Sequence, residues 1–96
     1  MQPIVYQGVE TLSFRQIDDM NGLTKGSAFR LFKRSENRLE EGRDYYYLSD
    51  ASHSAFIESL KVAGSIYPTT RHLVLVTRVG YERMQGSRAR ENVGKE

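Results

Sequence analysis

Two short amphipathic segments meet at Asn21-Gly22, and a helix pair forced to reverse there leaves few folds open. Ser13-Phe14-Arg15-Gln16 matches a capping box, with serine at the N-cap and glutamine three residues on, so a helix opens at Phe14. Phe14, Ile17 and Met20 give that helix an apolar stripe over about two turns. Asn21 and Gly22 tolerate left-handed backbone and stop it. Leu23 then reads as a buried plug, and Thr24 as the cap of a second helix over 25–37. On a helical wheel Ala28, Leu31, Phe32 and Ser35 share one narrow arc, the side to be buried. Gly26, Arg30, Lys33 and Asn37 fall opposite, with Ser27 and Arg34 on the flank. A helix, a three-residue turn and a second helix, apolar behind and basic in front, is the layout of a helix-turn-helix.

Around this pair the chain alternates short strands and helices. Ile4-Val5-Tyr6 and Val9 to Leu12 flank Gln7-Gly8 as a small hairpin. Tyr45-Tyr46-Tyr47-Leu48 is strongly β-prone, and Ser49 or Asp50 caps a third helix through about Leu60. Ala55, Phe56 and Leu60 are the expected apolar side of that helix. Gly64 to Arg71 reads as a loop, and Leu73-Val74-Leu75-Val76 as the best strand. Thr77 then caps a short helix over Arg78 to Met84. Pairing the two central strands gives a β-wing beside the helices, with Arg71 and Arg78 at strand ends within reach of a phosphate. The expected fold class is α+β, a small helix-turn-helix domain with short β-strands forming a wing-like hairpin. One winged-helix-like DNA-binding domain is expected over 1–84, with a flexible charged tail over 85–96.

Charge supports this layout. The net charge is only +2, yet it is segregated. Residues 25–43 hold six cations against three acids, and residues 71–90 hold five against one; the segments between and before them are acidic. Ten of the fourteen cations are arginine, whose fork suits phosphates and base edges better than a lysine point charge. On the outer arc of the second helix, Arg30 and Arg34 suit guanine edges and Asn37 suits adenine. Ser27 and the amides after Thr24 are placed to hold a phosphate at the helix N-terminus. Lys25 and Lys33 add backbone charge, completing a DNA-binding set of Lys25, Ser27, Arg30, Lys33, Arg34, Asn37, Arg71 and Arg78.

Other chemistry has little to work with. Without cysteine there is no disulfide, thiolate nucleophile or cysteine-bound zinc. His53 and His72 lack partners at metal-ligand spacing, so neither a metal nor another cofactor is expected. Asp18-Asp19 and Glu40-Glu41 are adjacent pairs whose side chains diverge, and they read as solvated charges near helix ends. Neither a glycine-rich phosphate loop nor a G-x-S-x-G turn occurs, so no enzyme is expected. No apolar run approaches the roughly 20 residues of a membrane span, and Met1-Gln2-Pro3-Ile4 lacks the opening of a signal peptide. A cytoplasmic protein with no membrane partner is expected.

The stretch Phe32-Lys33-Arg34-Ser35-Glu36-Asn37-Arg38-Leu39-Glu40-Glu41-Gly42-Arg43-Asp44-Tyr45-Tyr46-Tyr47-Leu48 resembles the signature of the amino-terminal domain of phage antirepressors and Rha-type regulators. This is the orf-six-N group, loosely related to KilA-N. Leu73-Val74-Leu75-Val76-Thr77-Arg78-Val79-Gly80-Tyr81 is similar to that family's leucine-threonine-x-x-glycine-tyrosine segment. The resemblance covers most of residues 4–84. Ser35 departs from a frequent asparagine, Leu39 from a frequent phenylalanine, and the second, effector domain of such regulators is not expected here. The resemblance implies a phage or prophage transcriptional regulator acting on double-stranded DNA at the nucleoid of a bacterial host. A small monomer binds weakly, so a homodimer on a palindromic site is also expected. The rival reading is a protein-interaction module, an antirepressor or a phage inhibitor of a host defence protein, anchored by Phe29, Tyr45 and Tyr47.

Overall fold

Ser13 opens the first helix as its spacing predicts. Its hydroxyl accepts from the Gln16 N–H at 3.1 Å, and the Gln16 side-chain oxygen accepts from the Ser13 N–H at 3.1 Å. The computed structural model describes residues 2–94, with side chains as far as residue 86. Among these residues four α-helices pack on one antiparallel sheet of four strands, so the architecture is α+β. In chain order the elements are β1 (Ile4–Tyr6), β2 (Val9–Leu12), α1 (Phe14–Met20), α2 (Ser27–Ser35), β3 (Tyr45–Leu48), α3 (Asp50–Val62), β4 (Leu73–Thr77) and α4 (Arg78–Gly94). A single 3-10 turn, Glu36–Arg38, follows α2.

The strands stand in the order β1-β2-β4-β3. β1 and β2 form the expected hairpin across Gln7-Gly8, with Ile4 opposite Thr11 and Tyr6 opposite Val9. β4 lies between β2 and β3, pairing Leu12 with Val76 on one side and Tyr46 with Leu75 on the other. The expected pairing of β3 with β4 is therefore present, but not as a hairpin. The two strands are joined through α3, and β4 is an interior strand of the sheet. Leu73 and Leu75 enter one core with Ile4, Leu48, Ile57 and Ile66, while Val76 enters a second with Ile17, Ala28, Leu31, Phe32 and Met84. A strand covered on both faces has no polar side to show, which is why 73–76 is an unbroken apolar run.

Several boundaries differ from expectation. The turn after α1 takes residues 21–26 instead of three, and α2 starts at Ser27 behind a Gly26 N-cap, not at Lys25 behind Thr24. Leu23 is half-buried and Met20 is exposed. In α3 the buried residue is Ile57, with Phe56 and Leu60 packed partly against it and Ala55 in solvent. A break at His53 (φ −133°, ψ 25°) rotates the helix after it, so a regular wheel misassigns that face. Thr77 does cap α4, its hydroxyl accepting from the Gly80 N–H at 3.1 Å. That helix runs past Met84 to Gly94, through most of the segment expected as a charged tail, whose residues 95 and 96 lie outside the described residues.

Asp44 ties the loop before β3 to the start of α4. Its side chain is fully buried, accepts from the Glu40 N–H at 2.8 Å, and pairs with Arg43 at 3.1 Å and Arg83 at 3.3 Å. Burial opposes its charge, but Arg43, the Glu40 amide and Arg83 outweigh burial and hold the carboxyl below the ordinary aspartate range. A carboxyl more acidic in the fold than in the open chain stabilises the fold above its open-chain pKa, and that contribution is lost as pH falls through the folded value. Asp44→Asn is therefore expected to be less stable than wild type at pH 7 but to lose less on acidification to pH 3. Urea midpoints at the two pH values check this, and parallel losses in both proteins would refute it.

Candidate nucleic-acid interface

The second helix carries the candidate interface, and its amphipathic layout decides which residues face outward. Ala28, Leu31, Phe32 and Ser35 are buried against α1, α4 and the sheet, and Ser35 turns its hydroxyl back to the Leu31 carbonyl at 2.9 Å. Arg30, Lys33 and Arg34 project into solvent from the other side. Ser27 is half-buried, and its hydroxyl lies 3.1 Å from the Thr24 hydroxyl and accepts from Arg30 at 3.4 Å. Lys33 reaches forward to Glu36 at 2.9 Å. Asn37 is exposed but sits in the 3-10 turn, out of phase with the helix that was expected to present it. The structure thus gathers Lys25, Ser27, Arg30, Lys33 and Arg34 on one short helix and its approach.

Arg71 and Arg78 do not join them as a pair. Both are exposed, one two residues before β4 and the other directly after it. The strand between them sets the two about 20 Å apart along its axis. Arg78 lines a separate cleft of about 430 Å³ with Pro3, Glu10, Leu12 and Met20. The neighbours of Arg71, Thr70 and His72, line the larger groove beside α2.

The N-terminus of α2 is already occupied by a group of the protein itself. Asp18, fully buried on α1, accepts from the Gly26 N–H at 3.1 Å and the Ala28 N–H at 2.8 Å. The Ser27 N–H goes to the Thr24 carbonyl at 3.1 Å. Three of the amides expected to hold a phosphate, those of Gly26, Ser27 and Ala28, are therefore spent, and a carboxylate stands where that anion would sit. Asp18 is also no solvated charge, since it accepts the Tyr67 hydroxyl at 2.6 Å. Burial, together with donation to Asp18, pushes the Tyr67 hydroxyl up to about 12. Gly26 makes this cap workable because its backbone is left-handed (φ 91°), and a Cβ there would also meet Arg30 at 3.2 Å.

Tyr67 anchors one end of the groove between α2 and the β3–β4 face. The groove encloses about 630 Å³. Arg15 and Lys25 stand over the Tyr67 ring, at 5.6 Å and 5.1 Å from its centre. Phe29 and Tyr47 are the large aromatic residues most open to it, 50% and 47% exposed. Tyr47 is stacked on His72, with ring centres 5.8 Å apart and planes 23° from parallel. Tyr45 is half-buried instead, its ring edge-on to Phe32 at 5.0 Å. That contact makes Tyr45 part of the core and removes it from the exposed anchors. Sequence reasoning missed Asp18, Tyr67 and Arg15, which come together only through contacts between distant segments. No protein-family model matches the chain, and neither does a curated protein or a solved structure.

Proposed function

We propose that the protein binds double-stranded DNA by seating α2 in the major groove, with α1 behind it in the manner of a helix-turn-helix and the sheet strands beside it as a wing. The observation that carries this reading is the outward arc of α2, where Arg30, Lys33 and Arg34 are exposed opposite a buried side of Ala28, Leu31, Phe32 and Ser35. Nine helical residues span about 14 Å, a length suited to a groove about 12 Å wide. Arg30 and Arg34 are the base-reading candidates, while Lys25 and Lys33 supply backbone charge. The resemblance to phage antirepressor amino-terminal domains supports the biological role, control of transcription at a bacterial nucleoid. A homodimer on a palindromic site raises the affinity to a useful level.

Fluorescence anisotropy with labelled duplex tests the reading. Neutralising about four phosphates gives a slope of log K against log salt near about −3.6. Arg30→Ala is expected to weaken specific binding by roughly 1–3 kcal/mol and to relax selectivity at one base pair. No binding to random duplex near about 50 mM salt, where even non-specific affinity is measurable, overturns the proposal. That result favours a protein-interaction module anchored on Phe29 and Tyr47, the exposed aromatic residues of the groove.

A further inference from the structure

The groove beside α2 has an ordered chemistry along its length. Its wall on the α2 side carries Lys25 just before the helix, Phe29, Phe32 and Lys33 on the helix, and Glu36 at the start of the 3-10 turn. At the Lys25 end the opposite wall supplies Arg15, Thr69 and Thr70, so cations meet hydroxyl donors there. In the middle Phe29 stands on the helix side, and Tyr47, stacked on His72, stands on the sheet side. At the far end Glu36 and Glu41 provide carboxylates. A phosphate fits the first end, an aromatic base the middle, and an exocyclic amine the last.

We propose that this groove receives one unpaired nucleotide of the DNA strand held by α2, its base against Phe29 and Tyr47 and its phosphate toward Arg15 and Lys25. The inference rests on the DNA-binding reading and adds a substrate class to it, duplex carrying a bulged or displaced nucleotide. Continuity supports a strand of bound DNA as the occupant, because Lys33 belongs both to the groove wall and to the outward arc of α2. Exposed aromatic rings beside cations take any base by its π-face, so little sequence preference is expected at this position.

The test compares a fully paired duplex with the same duplex carrying one bulged 2-aminopurine. Wild type is expected to bind the bulged duplex roughly tenfold tighter and to quench the probe by stacking. Phe29→Ala and Tyr47→Ala each remove the preference and the quenching while keeping affinity for the paired duplex. Arg30→Ala weakens both duplexes alike. Adenosine monophosphate in excess is expected to erase the bulge preference alone. Binding of the paired duplex with no preference for the bulge overturns this inference and leaves the proposed function standing. A preference that survives both aromatic substitutions overturns it too, and binding of neither duplex overturns both proposals.

Discussion

Gly80→Ala is expected to destabilise the protein severely, although alanine is the better helix former. A Cβ at position 80 would lie 1.9 Å from the Asp44 carbonyl oxygen and 2.7 Å from its carbon, so the start of α4 must move off the loop before β3. Moving it disturbs the bonds that make this junction. The Thr77 N–H donates to the Asp44 carbonyl at 3.0 Å, and the Thr77 hydroxyl donates to the Arg43 carbonyl at 2.8 Å. The ion pair of Arg83 with buried Asp44, at 3.3 Å, lies one turn further on. Overpacking costs about 1–3 kcal/mol and each hydrogen bond about 0.5–1.5 kcal/mol, against a propensity gain of about 1 kcal/mol. With both hydrogen bonds weakened the net loss is roughly 1–5 kcal/mol, a large share of the roughly 5–15 kcal/mol that holds a domain folded. Gly86 supplies the control, since it lies in the same helix with nothing within 4 Å of its Cβ position. Gly86→Ala is expected to stabilise slightly. Urea midpoints that move the same way for both variants would refute the packing argument.

The second large effect is expected at Asp18. Asp18→Ala leaves the Ala28 N–H and the Tyr67 hydroxyl, now bonded at 2.8 Å and 2.6 Å, without their acceptor. Losing a helix cap costs about 1–2 kcal/mol and an orphaned buried donor about 1–3 kcal/mol, so the total is roughly 2–5 kcal/mol. Asp18→Asn is expected to rescue only in part, because its oxygen can serve the Ala28 N–H while its NH2 then faces the Gly26 N–H, donor to donor. Hydrogen exchange localises the effect, with lost protection expected at Gly26 and Ala28 before any change at Leu75. Unchanged exchange at those two amides would show that the cap contributes nothing. Since Asp18 fixes where α2 begins, the DNA binding proposed above is expected to weaken with it, although Asp18 itself carries the wrong charge to touch DNA.

What was legible in the sequence follows from how local its causes are. The Ser13–Gln16 capping box, the Gln7-Gly8 hairpin and the buried arc of α2 depend on residues within one or two turns of each other, and all three are present. The N-terminus of α2 was misplaced because its cap comes from another helix. Thr24 had the right residue type, but Asp18 had the geometry. A signal for Asp18 did exist, because four residues after Phe14 it shares that residue's face of α1 and cannot be fully solvated. The outward basic arc was legible for the same reason as the core, since burying one side of a short helix exposes the other. Tyr67 and Arg15 carried no such mark. Their part in the groove depends on a loop 51 residues downstream of Arg15 folding back over α1, where Arg15 donates to the Ile66 carbonyl at 3.3 Å.

The interior position of β4 has a consequence for how the chain acquires its shape. The sheet's middle rung is the last of the four strands to be made, so while a ribosome is still emitting residues 73–77 the β1–β2 ribbon and β3 have nothing between them to hold. Collapse of both cores therefore waits for late synthesis, and nascent chains stalled before residue 77 clears the exit tunnel are expected to stay open to proteases.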